Sequence, residues 1–408
     1  MNTIARFSLL VQGGLPHSFL QKQQITIKNL MINSSSSFTD SKKHFLILDA
    51  LRGVAALVVV LFHVLEYFAG GDHVKQIINH GYLAVDFFFM LSGYVMAHAY
   101  DDRWDRMSLT DFFKRRIIRL QPMIVVGMII GALLFYLGES SVFPKVAETP
   151  LWSVLLLLLI GCTLIPVPPS MDIRGWDEMH PLDGPAWSLF FEYIANILHA
   201  LVLRKLSKLV LGILVALAGA ALIHLAVTSP QGDVIGGWSV TPEQLRIGFT
   251  RLLFPYMAGM LLRRSIRVLK TRSTFVITSL LLVFVLSFPR IGGYDHVWAN
   301  GLYDSLVIIL IFPIIIYLGA IGEVKRKATQ KLCTFLGDIS YPIYIIHYPF
   351  IYALYAWFSN NNISFATGAW AGIGLTIGMV ILSYVLLKWY DEPVRTYLAR
   401  RFMNTKKH

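Results

Sequence analysis

The sequence predicts an all-α, polytopic integral membrane protein with about ten transmembrane helices. Of its 408 residues, 55% are hydrophobic and only 15% are charged, whereas soluble domains carry about 25% charged residues. Several apolar runs approach the roughly twenty residues that cross a bilayer as a helix. The basic residues gather in short loops between these runs, so the net charge of +12 indicates membrane topology rather than nucleic-acid binding.

Loop charge predicts how many of the apolar runs cross the membrane. The runs lie at residues 47–68, 81–100, 118–137, 151–167, 186–203, 209–227, 248–262, 274–289, 302–320, 335–357 and 367–389. Basic residues mark 101–119 and 204–208 as cytoplasmic. Three runs separate these segments, yet only an even number of crossings can join them. We expect 151–167, which is short and ends in IPVPP, to be re-entrant or interfacial, which leaves ten crossings. The alternative is that 204–208 is a local exception to the charge rule.

The polar ends of the chain complete the predicted organisation. Residues 1–44 are expected to form a disordered cytoplasmic extension, residues 45–398 the membrane domain, and residues 399–408 a basic cytoplasmic tail. Cys162 and Cys333 have neither metal-ligand spacing nor the pattern of a disulfide framework. We therefore expect no metal site. No polar segment after residue 45 exceeds about twenty residues, so any function must reside in the membrane or in its short loops.

The first apolar run contains two residues that are costly in lipid, Arg52 and His63. Eleven helical residues turn the chain by about 1100°, roughly 20° more than three full turns, so both side chains share one face about 16 Å apart. They should therefore face protein or a watery cavity, which favours a functional site. The alternative is an arginine that snorkels to the interface and a histidine that hydrogen-bonds a neighbouring helix.

Two carboxylates are candidates for orienting His63 as a general base. Asp86 lies about one turn from the outer end of the second run, where an antiparallel neighbour of the first helix would bring it beside His63. Glu66 follows His63 by about one turn on the same helix. A carboxylate beside an imidazole fixes its tautomer and raises its basicity. Alternatively, Asp86 is only a carboxylate near a helix N-terminus, where the helix dipole favours it.

Two arginines open the third run, in the stretch FFKRRIIRLQP. Arg116 and Arg119 are three residues apart and share a helix face, and two guanidinium groups there can bind phosphates in a bidentate manner. Positive-inside anchoring is the alternative. It explains Arg119 less well, because that residue lies inside the apolar run. The pair predicts a phosphate-binding site at the cytoplasmic face.

Three further residues are candidates for the same site. Glu192 is an acid inside the fifth run, where acids are rare without a role, and Trp187 precedes it in GPAWSLFFE. Trp187 alone would be an interfacial anchor. His347 lies in the middle of the tenth run, where a functional role and a structural hydrogen bond both remain open. The sequence contains no P-loop, GxSxG or HExxH motif.

Together these motifs resemble acyltransferase family 3, the bacterial membrane-bound O-acyltransferases of surface glycans and related acceptors. The matching stretches occur in family order and cover about residues 45–398. They are LDALRGVAALVVVLFH, GYLAVDFFFMLSGYV, FFKRRIIRLQP, GPAWSLFFE, FPYMAGMLL, LGDISYPIYIIHYP and DEPVR. Any one of these motifs would be weak evidence, whereas their combination is specific.

The resemblance implies transfer of an acyl group, usually acetyl, from cytoplasmic acyl-CoA to a carbohydrate hydroxyl at the bacterial inner membrane. The expected acceptor is a surface polysaccharide or its lipid-linked precursor, and the expected partners are acyl-CoA, this carbohydrate or glycolipid, and the bilayer, without nucleic acid. Acetyl-CoA would be a co-substrate, and no permanently bound cofactor is expected. The competing function is a transporter or exporter of a polar metabolite, in which the same residues would form a translocation path.

The resemblance also implies roles for individual residues by their positions in the motifs. His63 takes the position of the catalytic histidine, and Arg52 is its motif partner. Arg116 and Arg119 match an Arg-x-x-Arg associated with the donor site. Trp187 and Glu192 match further motif positions that have no clear role.

Overall fold

The computed structural model describes residues 44–266 and 271–403, which are helical apart from connecting segments. The other residues include most of the predicted N-terminal extension, part of a basic loop and the end of the predicted tail, and those predictions lie outside the described residues. The described ranges contain helices α1 Leu46–Glu66, α2 Ala84–Tyr100, α3 Leu109–Leu133, α4 Leu151–Gly161, α5 Ala186–Leu201, α6 Lys208–Thr228, α7 Pro242–Ser265, α8 Phe275–Ser287, α9 Val297–Ile321, α10 Lys327–Asn360 and α11 Phe365–Met403.

Each apolar run corresponds to one helix, but several helices begin before the run does. α3 starts at Leu109, nine residues before the apolar run at 118, because the Ser108 side chain accepts a hydrogen bond from the backbone N–H of Asp111. Thr241 caps α7 in the same way through Gln244. A hydroxyl at this position satisfies a backbone donor that has no partner inside the helix. Hydropathy detects only the apolar part of such a helix, so its polar first turns were missed.

Six helices in the described part of the chain are long and apolar enough to cross a membrane: α1 and α2 with their adjoining 3-10 turns, α3, α6, α9 and α11. The apolar helices α4 and α8 have only 11 and 13 residues, about 16 and 20 Å, against a hydrocarbon core of about 30 Å. α4 ends at Gly161 rather than at 167, before the IPVPP stretch whose prolines oppose a helix. The chain is therefore a helical membrane protein.

Two close helix pairs position the site, and glycines allow both. α1 packs chiefly on α10, where a Cβ added to Gly53 would lie 2.2 Å from the Leu336 carbonyl oxygen. α2 packs chiefly on α7, where Gly93 faces the Tyr256 carbonyl and Gly259 faces the Met90 carbonyl, each at 2.0 Å from an added Cβ. Small residues at such contacts let helix backbones approach closely in membranes. These pairs bring the polar side chains of distant segments together.

Candidate active site

A cavity of about 190 Å³ lies between α1, α2, α3, α5 and α10 and collects four of the predicted residues. The side chains of Arg52, Arg116, Arg119 and Glu192 all line it. Its walls otherwise combine apolar side chains with hydroxyl groups, from Phe88, Phe89, Ser92, Ser188, Ser340, Tyr341 and Tyr344 among others. A cationic end and a largely apolar wall suit a ligand that has an anionic head and an uncharged arm.

Arg116 and Glu192 form an ion pair with each other. The Nη2 of Arg116 lies 2.8 Å from Oε1 of Glu192, and the Ser92 hydroxyl donates to the same oxygen at 2.7 Å. The contact joins α3, α5 and α2 across the cavity wall. A guanidinium group whose charge is compensated by a carboxylate holds the wall in shape and retains only part of its capacity for an anionic ligand.

Arg52 and Arg119 differ in how many partners the protein gives them. Arg52 donates from Nε to the Ser340 hydroxyl at 2.9 Å and from Nη2 to Oδ1 of Asp49 at 3.3 Å. Arg119 is exposed where it lines the cavity, and within residues 44–266 and 271–403 its side chain has no hydrogen bond or ion pair. Its five N–H donors are therefore free for an anion, so of the three arginines it is the one best placed to bind an anionic ligand.

At the end of α1 opposite to Arg52, a carboxylate orients His63. Its Nδ1 lies 2.9 Å from Oε2 of Glu66, one helical turn further on. The Tyr355 hydroxyl donates to the same Glu66 oxygen at 3.3 Å and also to the His63 carbonyl. With Nδ1–H donating to the carboxylate, the lone pair of the neutral imidazole lies on Nε2. His63 thus has the tautomer that a general base needs.

His347 lies beside His63 and is fully buried in α10. The two rings are roughly parallel, with centroids 5.6 Å apart, and the Tyr348 ring contacts His63 at 4.7 Å. Nδ1 of His347 donates to the Tyr344 carbonyl at 2.7 Å, while its Nε2 has no partner among the described residues. Since Tyr344 also lines the cavity, His347 and Tyr344 connect the arginine-lined cavity to His63.

The structure corrects the expected position of Asp86. This carboxylate is buried and paired with Arg251 on α7, whose Nη2 lies 2.7 Å from Oδ2 of Asp86. The same guanidinium also donates to the carbonyls of Tyr82 and Gly236, at 2.8 and 3.1 Å. Asp86 therefore does not orient His63, because α2 packs on α7 and an arginine there engages both carboxylate oxygens. Arg251 thus joins α7 to α2 through Asp86.

Trp187 packs beside the Asp86–Arg251 pair rather than lining the arginine-lined cavity. Its ring lies 5.3 Å from the guanidinium carbon of Arg251, a cation–π distance. Trp187 is also buried, against Phe191 and Gly237. Trp187 therefore neither lines the arginine-lined cavity nor lies at His63.

We expect Asp86→Ala to lower the free energy of unfolding by about 3–5 kcal/mol, because it leaves the Arg251 guanidinium buried without its counterion. The measurement is the thermal unfolding of the purified protein in detergent. Asp105→Ala, which alters an exposed loop carboxylate, is the control and should change stability by no more than about 0.5 kcal/mol. Unchanged stability together with lost activity would contradict a structural role for Asp86.

Several residues of the site were not among those predicted from the sequence. Ser340 holds Arg52, Tyr344 links the cavity to His347, and Tyr355 holds Glu66. All three lie on the face of α10 that packs on α1. The spacing of aromatic and small polar residues in LGDISYPIYIIHYPFIYALY is the one pattern that indicates this face.

Comparison with known proteins supplies the family. The sequence model of one family, described as an acyltransferase domain, matches residues 45–388. A protein of Rhizobium radiobacter named as protein 2 in the picA locus is 34% identical over 165 residues, which are 39% of this chain and 82% of that protein. No solved structure matches significantly.

Two other relatives carry enzymatic names. A Staphylococcus aureus (strain COL) protein provisionally named an O-acetyltransferase is 24% identical over 387 residues, 89% of this chain and 60% of its own length. The acyltransferase MdmB of Streptomyces mycarofaciens is 31% identical over 170 residues, 40% of each chain. The matched region thus spans less than two thirds of both proteins. With 344 of its 408 residues inside the family match, the chain belongs to the acyltransferase family that its motifs resemble, acyltransferase family 3.

Proposed function

We propose that this protein is a membrane-bound O-acyltransferase that moves an acetyl group from acetyl-CoA to a hydroxyl of a carbohydrate acceptor. The observation that carries the proposal is the arrangement along α1. An arginine-lined cavity lies at one end of the helix, and a histidine in the tautomer of a general base lies about 16 Å away at the other. That separation is comparable to the reach of the pantetheine arm of CoA.

The donor binds from the Arg52 end of α1 in this proposal. The Arg119 guanidinium, assisted by Arg116 and Arg52, binds the CoA phosphates through charge-assisted hydrogen bonds. The uncharged pantetheine arm then follows the apolar cavity wall past Tyr344 and presents the thioester near His63. Acetyl-CoA is a co-substrate here, and no resident cofactor takes part.

His63 removes the proton of the acceptor hydroxyl through Nε2 while the hydroxyl oxygen attacks the thioester carbonyl carbon. The C–S bond breaks, an ester forms on the acceptor, and the CoA thiolate takes the proton back from His63. Glu66 stabilises the transient imidazolium because its carboxylate already accepts from Nδ1. A covalent acyl-histidine on Nε2, subsequently attacked by the acceptor, is the mechanistic variant.

The topology we propose has ten crossings, both termini in the cytoplasm and the bacterial inner membrane as its location. It rests on the basic loops, which put 101–119 and 204–208 on the same side of the membrane, so that one of the three runs between them does not cross. The helix α4 is the shortest of those three. With this orientation the Arg52 end of α1 faces cytoplasmic acyl-CoA, and His63 lies toward the outer side. A surface polysaccharide or its lipid-linked precursor is then the acceptor.

Release of CoA tests the enzymatic proposal against the transporter alternative. Purified protein with acetyl-CoA and envelope membranes of gene-deleted cells should release free thiol, and radiolabelled acetyl should appear as an alkali-labile ester on carbohydrate. A transporter that performs no acyl transfer releases no CoA under these conditions. Labelled acetyl that stays on the protein when the acceptor is omitted would favour the acyl-histidine variant.

A further inference from the structure

An open, polar cavity of about 520 Å³ lies where the segment 134–150, between α3 and α4, meets the end of α10. Its volume falls within the roughly 300–1,000 Å³ of ordinary ligand sites. The reaction proposed above uses none of the residues that line it. They include Tyr136, Glu139, Ser140, Phe143, Ala147 and Asn360, and we call this feature the polar cavity.

The polar cavity lies beyond His63, as seen from the arginine-lined cavity. On α10, Ser340 contacts Arg52, and about two turns later His347 stacks on His63. Asn360 then ends the helix, about 20 Å beyond His347. With the proposed topology this end of α10 faces the outer side of the membrane, where the acceptor is expected.

Aromatic rings connect the wall of the polar cavity to the proposed base. The Phe143 ring contacts that of Tyr352, with centroids 5.3 Å apart. Tyr352 contacts Tyr348 at 4.7 Å, and Tyr348 contacts His63 at 4.7 Å. The polar cavity is thus joined to His63 by three successive ring contacts, close enough for one extended ligand to reach both.

Hydrogen bonds hold the two walls of the polar cavity together. The Asn360 side-chain amide donates from Nδ2 to the Glu139 carbonyl at 2.8 Å. The hydroxyl groups of Ser141 and Ser359 are 3.0 Å apart and form a second hydrogen bond. The segment 134–150 is therefore fastened to the end of α10 at two points, and the cavity between them has a defined shape.

The side chains that line the polar cavity leave accessible groups for a ligand. Glu139 is exposed, and its carboxylate has no hydrogen bond or ion pair with the residues that the structure describes. Asn360 is also exposed, and because Nδ2 is the atom bonded to Glu139, its Oδ1 is open to a donor. Tyr136 is 42% exposed, and its hydroxyl donates to the Thr149 carbonyl at 2.9 Å, which fixes the orientation of the ring.

These groups match the chemistry of an uncharged sugar. A carboxylate and an amide oxygen accept hydrogen bonds from hydroxyl groups, and an aromatic ring packs against the apolar C–H face of a sugar ring. Of the described residues that line the polar cavity, Glu139 is the charged one. A carboxylate without a counterion disfavours a ligand that carries a carboxylate or phosphate at this place, because like charges repel.

We propose that the polar cavity binds uncharged sugar units of the acceptor glycan, at a distance along the chain from the sugar that is acylated. The inference rests on the proposed function, because that function supplies a carbohydrate acceptor. A glycan that occupies the polar cavity and also reaches His63 contains several sugar units. The polar cavity therefore favours a long acceptor over a short one, since a second binding site on one chain raises its overall affinity.

Two substitutions test the polar cavity, each with a matched control. Ala147→Trp fills the cavity at an exposed position, and Ala147→Ser, which adds one oxygen atom, is its control. Glu139→Gln removes the charge, and Glu148→Gln is its control, because Glu148 is an exposed acid of the same segment that does not line the cavity.

The assay uses radiolabelled acetyl-CoA and washed envelope membranes of gene-deleted cells as the source of acceptor. Ala147→Trp should raise the half-saturating amount of membranes about tenfold, and Glu139→Gln about threefold. Both variants should shift the half-saturating acetyl-CoA by less than about twofold, because the donor binds at the arginines. The two controls should behave as wild type.

Binding is also measured without catalysis, by saturation-transfer NMR with oligosaccharides released from these membranes by mild acid. The wild-type protein should transfer saturation to uncharged oligosaccharides, and Ala147→Trp should transfer much less. If the wild type forms no carbohydrate ester but shows this difference in binding, the proposed function fails and the sugar site stands. If the ester forms and Ala147→Trp matches the wild type in either measurement, only the sugar site is overturned. Saturation that reaches only acidic oligosaccharides also overturns it.

Discussion

Replacing His63 with alanine should lower the rate of acyl transfer from acetyl-CoA by about 100- to 10,000-fold, the range that a positioned general base contributes. In the structure His63 Nδ1 is held by Glu66, which leaves Nε2 as the basic nitrogen. His347, whose ring stacks on that of His63, differs from it, because His347 gives its Nδ1–H to backbone carbonyls and is fully buried. The measurement is ester formation on carbohydrate by purified protein at saturating acetyl-CoA.

Glu66→Gln is the graded companion of this substitution. Glutamine can still accept from Nδ1–H but cannot stabilise the imidazolium by charge. We therefore expect a smaller loss of about 10-fold, since a hydrogen bond to a charged group contributes about 1–1.5 kcal/mol more than a neutral one and 1.4 kcal/mol corresponds to a factor of ten. Thermal unfolding checks that both variants remain folded. His63→Ala protein that transfers acetyl at the wild-type rate would exclude both the general-base and the acyl-histidine mechanisms.

The pairs that were predictable from the sequence are those that lie on one helix. His63 and Glu66 are three residues apart, and the shared face of Arg52 and His63 follows from helical periodicity alone. The spacing of residues along one helix fixes the relative position of their side chains, so these pairs could be predicted without knowledge of tertiary packing. Arg116 and Arg119 were found for the same reason, and both line the cavity.

The pairs that the sequence did not reveal join distant helices. Arg116 and Glu192 are 76 residues apart, and Asp86 and Arg251 are 165 apart. We expected Asp86 beside His63 on the assumption that consecutive helices are the closest neighbours. In the structure α1 packs chiefly on α10, and α2 packs chiefly on α7. Which helices meet depends on the fit of small residues such as Gly53 and Gly93, and hydropathy does not report this.

Among the three arginines of the cavity, Arg119 gives the clearest prediction about binding of the acetyl-CoA donor. Arg116 is compensated by Glu192, and Arg52 donates to Ser340 and Asp49. Arg119 lines the same cavity and has no such partner in the described ranges. Arg119→Ala should therefore remove one or two charge-assisted hydrogen bonds to a CoA phosphate without leaving a protein carboxylate unpaired. Substitution of Arg116 would also leave the Glu192 carboxylate unpaired, so its effect on donor binding would be harder to interpret.

We expect Arg119→Ala to raise the KM for acetyl-CoA by about 10- to 150-fold, since a hydrogen bond to a charged group contributes about 1.5–3 kcal/mol and 1.4 kcal/mol corresponds to a factor of ten. Arg115→Ala is the matched control, because Arg115 is exposed, carries the same charge on the same helix and does not line the cavity. The effect of Arg119→Ala should shrink when 3′-dephospho-acetyl-CoA replaces acetyl-CoA if its guanidinium binds the 3′-phosphate. Equal KM values for the two alanine variants would show that the net charge of α3, rather than the position of Arg119, attracts the donor.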